Sequence, residues 1–309
     1  MKREIFDLAE PLTLFHAIVI GLVEGLTEFL PVSSTAHNDI VPQLLGWGDP
    51  GTAFSAVVQL GPIVAIVAYF WKDVRKYLVG IFRTKTPFNI PAKDQDARIG
   101  WYVILATLPI LLIGKLLEKK IDSSFRTLPV IAFGFIVFGI VLFVAERMAR
   151  KVKTLDNINA KEATLIGLSQ CIALIPGVSR SGITLTMGLF RGFTREDALR
   201  FSFLLSIPAI TAAGLYKLKD VIKDPNLGTL IVPYLVGTIV AGVTGFAVIH
   251  WFLGYVRKHN TNIFVIYRII VGIALLVLYK NGLRLESPSH SPGTSETRTE
   301  TAFVSSVRR

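Results

Sequence analysis

The sequence predicts an all-α integral membrane protein, an inverted-topology repeat of two halves with six full transmembrane helices and two re-entrant helical hairpins. Three observations lead there. Hydrophobic residues make up 51% of the 309 positions against 18% charged, with a mean hydropathy of +0.54, a balance outside the range of ordinary soluble domains. The apolar residues gather into runs of roughly 20, the length that crosses a bilayer as helix, separated by short charged connectors. Two further stretches, apolar at their ends and broken in the middle, copy one another.

Taken in chain order, the first broken stretch is 13–37, interrupted by Pro, Gly, Ser and charge. It reads as a helix, a turn and a second helix that leaves on the side it entered, with a kinked full span as the alternative. Full spans follow at 51–71, 99–118 and 128–147. The second broken stretch is 163–190, and the remaining spans are 199–217, 229–253 and 263–280. Together they form one polytopic membrane domain, 1–285, with repeat halves of about 13–148 and 159–281. The Ser, Thr and Pro-rich tail 286–309 reads as disordered. Glu4, Asp7 and Glu10 precede the first apolar run and no small-residue cleavage site follows, which argues against a removable signal peptide.

Charge sets the expected orientation. Connector 72–98 carries seven Lys or Arg and 148–162 carries four, so both belong on the cytoplasmic side. Connector 191–198, with Arg191 and Arg195, joins them if 163–190 is re-entrant. The stretch 38–50, both termini and 218–228 then fall on the opposite face. The net charge of +11 lies mostly in these connectors and forms no basic stripe interleaved with aromatics, which excludes nucleic acid as the expected partner. With Cys171 as the only cysteine, an internal disulfide and a multi-cysteine metal site are ruled out.

The repeat is read from residues. "GLVEGLTEFLPVSST" (21–35) lies on "GLSQCIALIPGVSRS" (167–181) without a gap. Gly21 falls on Gly167, Val32 on Val178, Ser33 on Ser179, Glu24 on Gln170 and Ser34 on Arg180. "AFSAVVQLGPI" (53–63) resembles "RFSFLLSIPAI" (200–210). Three spans and one hairpin per half make the second half enter with opposite orientation.

In such folds the broken elements meet near the midplane, where freed backbone N–H groups and helix dipoles favour an anion. Arg180, among Ser179, Ser181 and Thr184, offers a planar fork of donors that matches phosphate oxygens. Snorkelling to an interface or closing a structural ion pair is the plainer alternative. Glu24 and Glu28, four apart, share one face of a helix. The following "PVSSTAH" supplies Ser33, Ser34, Thr35 and His37. Charges in a membrane segment are costly and point to function. Paired carboxylates without basic neighbours suit a hard divalent cation, magnesium or calcium, and His37 is a candidate general acid or base. The inventory is that of phosphoryl transfer: anion clamp, metal ligands, hydroxyl and proton carrier. His250, His259 and His290 read as solvated or interfacial, and Trp71, Trp101 and Trp251 as aromatic-belt anchors. Gln59 and Gln170 either line the site or pack with satisfied amides.

At these residues the chain resembles the undecaprenyl-diphosphatase family, integral membrane phosphatases of the bacitracin-resistance type. "EGLTEFLPVSSTAH" (24–37) is similar to the family's glutamate-rich first motif and "PGVSRSGIT" (176–184) to its second, and the likeness runs from about 13 to 281. The resemblance implies hydrolysis of the terminal phosphate of undecaprenyl diphosphate at the bacterial cell membrane. It also implies a site facing the extracytoplasmic side, recycling of the cell-wall lipid carrier and bacitracin resistance. Catalytic roles then fall on Glu24, Glu28, Ser33, Ser34, His37 and Arg180, with substrate held by Ser179, Arg180, Ser181 and Thr184 and the cation by Glu24 and Glu28. Ser33, Ser34 and an activated water stay open as nucleophile, and assembly into a homo-oligomer stays open too. The chain departs from the pattern at Asn38 and Asp39, which follow the motif histidine where family members usually continue with an apolar residue. Both are expected in water at the hairpin mouth. The competing class is a lipid or small-molecule transporter or flippase, since inverted repeats with midplane charge are typical of carriers. A carrier has no need of serine, histidine and metal-ligand groups in one place.

Overall fold

The protein, a computed structural model, is described over residues 12–285 except 48–50, 89, 92, 122–124 and 223–226. The N-terminal acidic residues, the stretch 48–50 and the tail 286–309 with His290 lie outside the described residues.

The described residues form helices joined by short connections. Helix α1 (Leu14–Thr27) starts where the Thr13 side chain accepts from the His16 N–H, and α2 (Ser34–Leu44) follows a six-residue turn, 28–33. Next come α3 (Thr52–Val58), α4 (Leu60–Tyr69), α5 (Trp71–Thr84), α6 (Gln95–Lys120) and α7 (Leu128–Met148). The second broken stretch is α8 (Ala160–Ser169), a 3-10 turn at Gln170–Leu174 and α9 (Arg180–Phe190). Helices α10 (Arg195–Ile222), α11 (Leu227–Lys258) and α12 (Asn262–Lys280) complete the chain.

Helices α6, α7, α10, α11 and α12 are long and apolar enough to cross a membrane. The sixth expected span, 51–71, differs. It divides at Gln59 into α3 and α4, and Phe54–Tyr69 joins a sixth span only together with α5, from which it bends by 85°. The cause is the charge that follows: Lys72, Asp73, Arg75 and Lys76 cannot continue into hydrocarbon at the cost set by buried charge. Helix α5, which the sequence reading left inside a connector, buries Tyr77 and Gly80 against α6 and exposes Leu78, Val79 and Phe82. Helix α10 starts at Arg195, ahead of the expected 199, because Thr194 caps it: its hydroxyl oxygen accepts from the Asp197 N–H at 3.1 Å.

Glycine sets two of the closest helix crossings. A Cβ on Gly21 would sit 2.5 Å from the Gly237 carbonyl oxygen, and one on Gly167 2.4 Å from that of Ala106. So α1 lies directly on α11, and α8 on α6, the close approach that small residues permit. These two glycines fall on one another when 21–35 is laid on 167–181.

Ion pairs sort the connectors between the two ends of the bundle. At one end Arg195 and Lys151 pair with Glu146, and Lys153 and Arg191 both lie within 3.1 Å of Glu162. Arg200 reaches Asp73 at 2.7 Å and Arg257 reaches Glu196 at 2.6 Å in the same region. The basic connectors 72–98, 148–162 and 191–198 therefore share an end, as their charge predicted. At the other end Lys217 pairs with Glu118 at 2.7 Å, Arg126 pairs with Asp39, and His16 stacks on Trp47 at 4.3 Å. The Glu162–Arg191 pair joins the start of α8 to the residue after α9. The His16–Trp47 stack likewise joins the start of α1 to the residues after α2.

Candidate active site

Each broken stretch turns on a serine held in an unusual conformation. Ser33 has φ 71° and Ser179 φ 70°, positive values that cost a non-glycine residue of order 1–3 kcal/mol and persist where the surroundings enforce them. These serines are the N-cap residues of α2 and α9 and fall on one another when 21–35 is laid on 167–181. Ser179 Oγ accepts from the Gly182 N–H at 3.1 Å, whereas Ser33 makes no side-chain cap bond. Two residues before Ser179, Gly177 (φ +88°) has no room for a Cβ, which would lie 2.3 Å from the Ile131 carbonyl oxygen.

The two turns meet through Glu28. Arg180 Nη2 donates to its Oε1, and the Ser34 hydroxyl donates to its Oε2. Glu28 thus gains a basic partner from the other half, which corrects the expectation that the carboxylates lack basic neighbours: the partner is 152 residues away in sequence. Arg180 closes an ion pair, and the pair is buried, with side-chain exposures of 16% and 8%. Taking two charges this far from water is costly unless each is fully engaged.

Glu24 is completely buried. Its Oε2 accepts from Asn38 Nδ2, while its Oε1 and the Asn38 Oδ1 have no hydrogen-bond partner among the described residues. Asn38 and Asp39 are both buried, which overturns their expected place in water. The reason is that each finds a partner inside: Asn38 takes Glu24, and Asp39 takes Arg126, whose Nε lies 3.1 Å from Oδ2.

His37 Nδ1 lies 2.7 Å from the Ser33 carbonyl oxygen and Nε2 lies 2.6 Å from the Tyr267 hydroxyl. A carbonyl only accepts, so Nδ1 carries the proton, and in the neutral ring Nε2 is the free base, capped by the Tyr267 O–H. The rings of His37 and Tyr267 stack at 5.8 Å.

The second motif's hydroxyls are engaged internally. Ser181 Oγ donates to the Leu30 carbonyl at 2.9 Å, tying α9 to the first turn, and lies 3.1 Å from Ser179 Oγ. Thr184 Oγ1 lies 2.8 Å from the Arg180 carbonyl and 2.6 Å from Ser202 Oγ of α10. Thr184 therefore braces α9 against α10, one turn further along α9 than Arg180. Thr35 is exposed, Gln170 is buried with Nε2 3.3 Å from the Ala106 carbonyl, and Gln59 is half-buried.

Arg268 was missed by sequence reasoning. It is fully buried in α12, and its donors end on four backbone carbonyls: Pro31 at 2.8 Å, Gly134 at 2.8 Å, Gly177 at 2.9 Å and Phe135 at 3.2 Å. One side chain thereby ties both turns to α7. Tyr267, its neighbour, was also missed. The available signal was the charge itself, an arginine in the middle of an apolar span.

The donor set can be tested against a divalent cation. Among the described residues no three His, Cys, Asp or Glu side chains gather as a cage. Two carboxylates and two serine hydroxyls are nonetheless all hard oxygen donors, and Glu24 Oε1 is a buried acceptor with no hydrogen-bond donor on it. One or two carboxylates completed by phosphate and water is the usual arrangement for magnesium, so the residues fit.

Fold and site together define a polytopic α-helical membrane protein whose polar centre is made where two interrupted helical stretches meet. The chain belongs to the bacitracin resistance protein BacA family, whose profile matches residues 17–274. It is 48% identical to an undecaprenyl-diphosphatase of Pelodictyon phaeoclathratiforme over 88% of this chain and 99% of that one. Undecaprenyl-diphosphatases of Myxococcus xanthus and Nocardioides sp. are each 46% identical, over 88% and 87% of this chain and 91% and 97% of theirs.

Proposed function

We propose that the chain removes the terminal phosphate of undecaprenyl diphosphate at the membrane, leaving undecaprenyl phosphate for reuse as a cell-wall lipid carrier and so conferring bacitracin resistance. The observation that carries this is the meeting of Arg180, Glu28 and Ser34 between the two turns, in a chain whose relatives bear the diphosphatase name over nearly their whole length.

The incoming diphosphate takes the place of Glu28 on the Arg180 fork. The N-termini of α2 and α9 add their dipoles to the same anion. Ser34 is the favoured nucleophile, because its hydroxyl is already hydrogen-bonded to a carboxylate. As the Ser34 Oγ–phosphorus bond forms, its proton passes to Glu28 and the bond from phosphorus to the bridging oxygen breaks, releasing undecaprenyl phosphate. Water then attacks the phosphoserine and frees inorganic phosphate, with His37, whose Nε2 is held by the Tyr267 hydroxyl, as the candidate base. Glu24 and Glu28 would hold a magnesium or calcium ion, which would neutralise phosphate charge.

The architecture follows the inverted repeat. The matched serines at positive φ, the matched glycines at the helix crossings and the paired ends of each broken stretch support two re-entrant hairpins that enter from opposite faces. The site then opens to the outside of the bacterial cell membrane. Cysteines placed at Lys85 and Thr154 should react with an impermeant thiol reagent only in opened membranes, and one at Asp49, outside the described residues, in intact cells. Equal labelling of all three in intact cells would refute the arrangement.

The cation is tested by phosphate release from a C55 isoprenyl diphosphate in detergent, with and without chelator. Activity should vanish in excess chelator and return with magnesium or calcium. Undiminished release in chelator refutes the metal.

A further inference from the structure

We infer that Asn38 is a positioning residue for Glu24, taking one carboxylate oxygen so that the other is presented to the cation site. The inference rests on the reading of Glu24 as a cation ligand. Its grounds are the hydrogen bond from Asn38 Nδ2 to Glu24 Oε2, the bare Oε1 on the same carboxylate, and the complete burial of that carboxylate. A buried carboxylate held by nothing can turn about its last torsion and point either oxygen anywhere in its cone. A single amide donor on one oxygen removes that freedom and fixes the direction of the other.

The amide is itself anchored. Asp39, next along α2, is held by Arg126, which stands just before α7. That pair fixes the rotation of α2 about its own axis, and the turn that carries Asn38 is fixed with it. On the far side of Asn38 the ring of His37 is clamped between the Ser33 carbonyl and Tyr267. Three consecutive residues of α2 are thus all held by partners, and the middle one faces Glu24 across the hairpin. Carboxylates that ligate metals are commonly held in this way by an outer hydrogen bond, and losing it typically costs 10–100-fold in metal affinity.

The test is the affinity of the purified full-length protein for Mn2+, read by electron paramagnetic resonance without substrate, in the parent and in Asn38→Leu and Asn38→Ser. Leu fills the volume without a donor. Ser is smaller, stays polar, cannot overpack the site and is too short to reach Glu24. Both variants should bind Mn2+ roughly ten- to a hundredfold more weakly, and the magnesium needed for half-maximal phosphate release should rise by a similar factor. The KM for lipid at saturating magnesium should stay within about twofold of the parent. Either variant, folded by its thermal transition and binding Mn2+ like the parent, overturns the positioning role. A parent that binds no Mn2+ at all removes the reading of Glu24 as a ligand, and the inference with it.

Discussion

Arg180→Lys should lose most of its phosphatase activity while remaining folded. Lysine keeps the positive charge but presents it as a point, whereas the guanidinium is a planar fork matched to phosphate oxygens. Losing one charge-assisted hydrogen bond costs on the order of 1.5–3 kcal/mol, and each 1.36 kcal/mol of transition-state stabilisation is about tenfold in rate. A fall of roughly ten- to a hundredfold is therefore expected from Lys. Arg180→Ala should fall further, because Glu28 then remains buried with its cation gone. In a purely structural ion pair Lys would serve nearly as well and the defect would appear in melting temperature instead. Release at the parent's rate by a well-folded Arg180→Lys protein would show that the guanidinium does not hold phosphate.

The second large effect belongs to Arg268, and it should appear in folding before catalysis. Its donors satisfy carbonyls of Pro31, Gly134, Phe135 and Gly177, which come from both turns and from α7. Arg268→Met keeps much of the volume and leaves those carbonyls bare, at about 1–3 kcal/mol for each buried group left unmade. Lysine's three donors radiate from one nitrogen and cannot span the same carbonyls. Both variants should melt on the order of 10 °C or more below the parent, with activity lost alongside. Gly182 adds a check, since a Cβ there would meet Arg268 Nη1 at 3.1 Å. A milder loss of the same kind is expected from Gly182→Ala. Parent-like melting of Arg268→Met would mean that the turns hold their shape without it.

What was legible in the sequence was whatever leaves a local trace. The runs behind α6, α7, α10, α11 and α12 are long enough to be read by length alone, and both broken stretches announce themselves by proline, glycine and charge among apolar residues. The basic connectors predicted which ends gather together, and the Glu162 and Glu146 pairs bear this out. Less visible was α5, because an amphipathic helix lying across a bundle end has the composition of a connector. The Glu28–Arg180 pair was beyond reach, since nothing local to either residue specifies a partner 152 positions away. Asn38 and Asp39 were misjudged for the same reason. A polar residue is assigned to water until its buried partner is known, and theirs, Glu24 and Arg126, come from other elements. Arg268 was the avoidable miss, as an arginine flanked by "FVIY" and "IIVGIALL" carries the same signal that singled out Arg180.

The most direct measurement of the account is the identity of the products that purified protein makes from undecaprenyl diphosphate in the presence of magnesium, followed by mass and by released phosphate. One inorganic phosphate per lipid, with undecaprenyl phosphate accumulating in step and both suppressed in Arg180→Ala, is the predicted result. Intact lipid diphosphate after prolonged incubation, or release of pyrophosphate with the free alcohol, would contradict it.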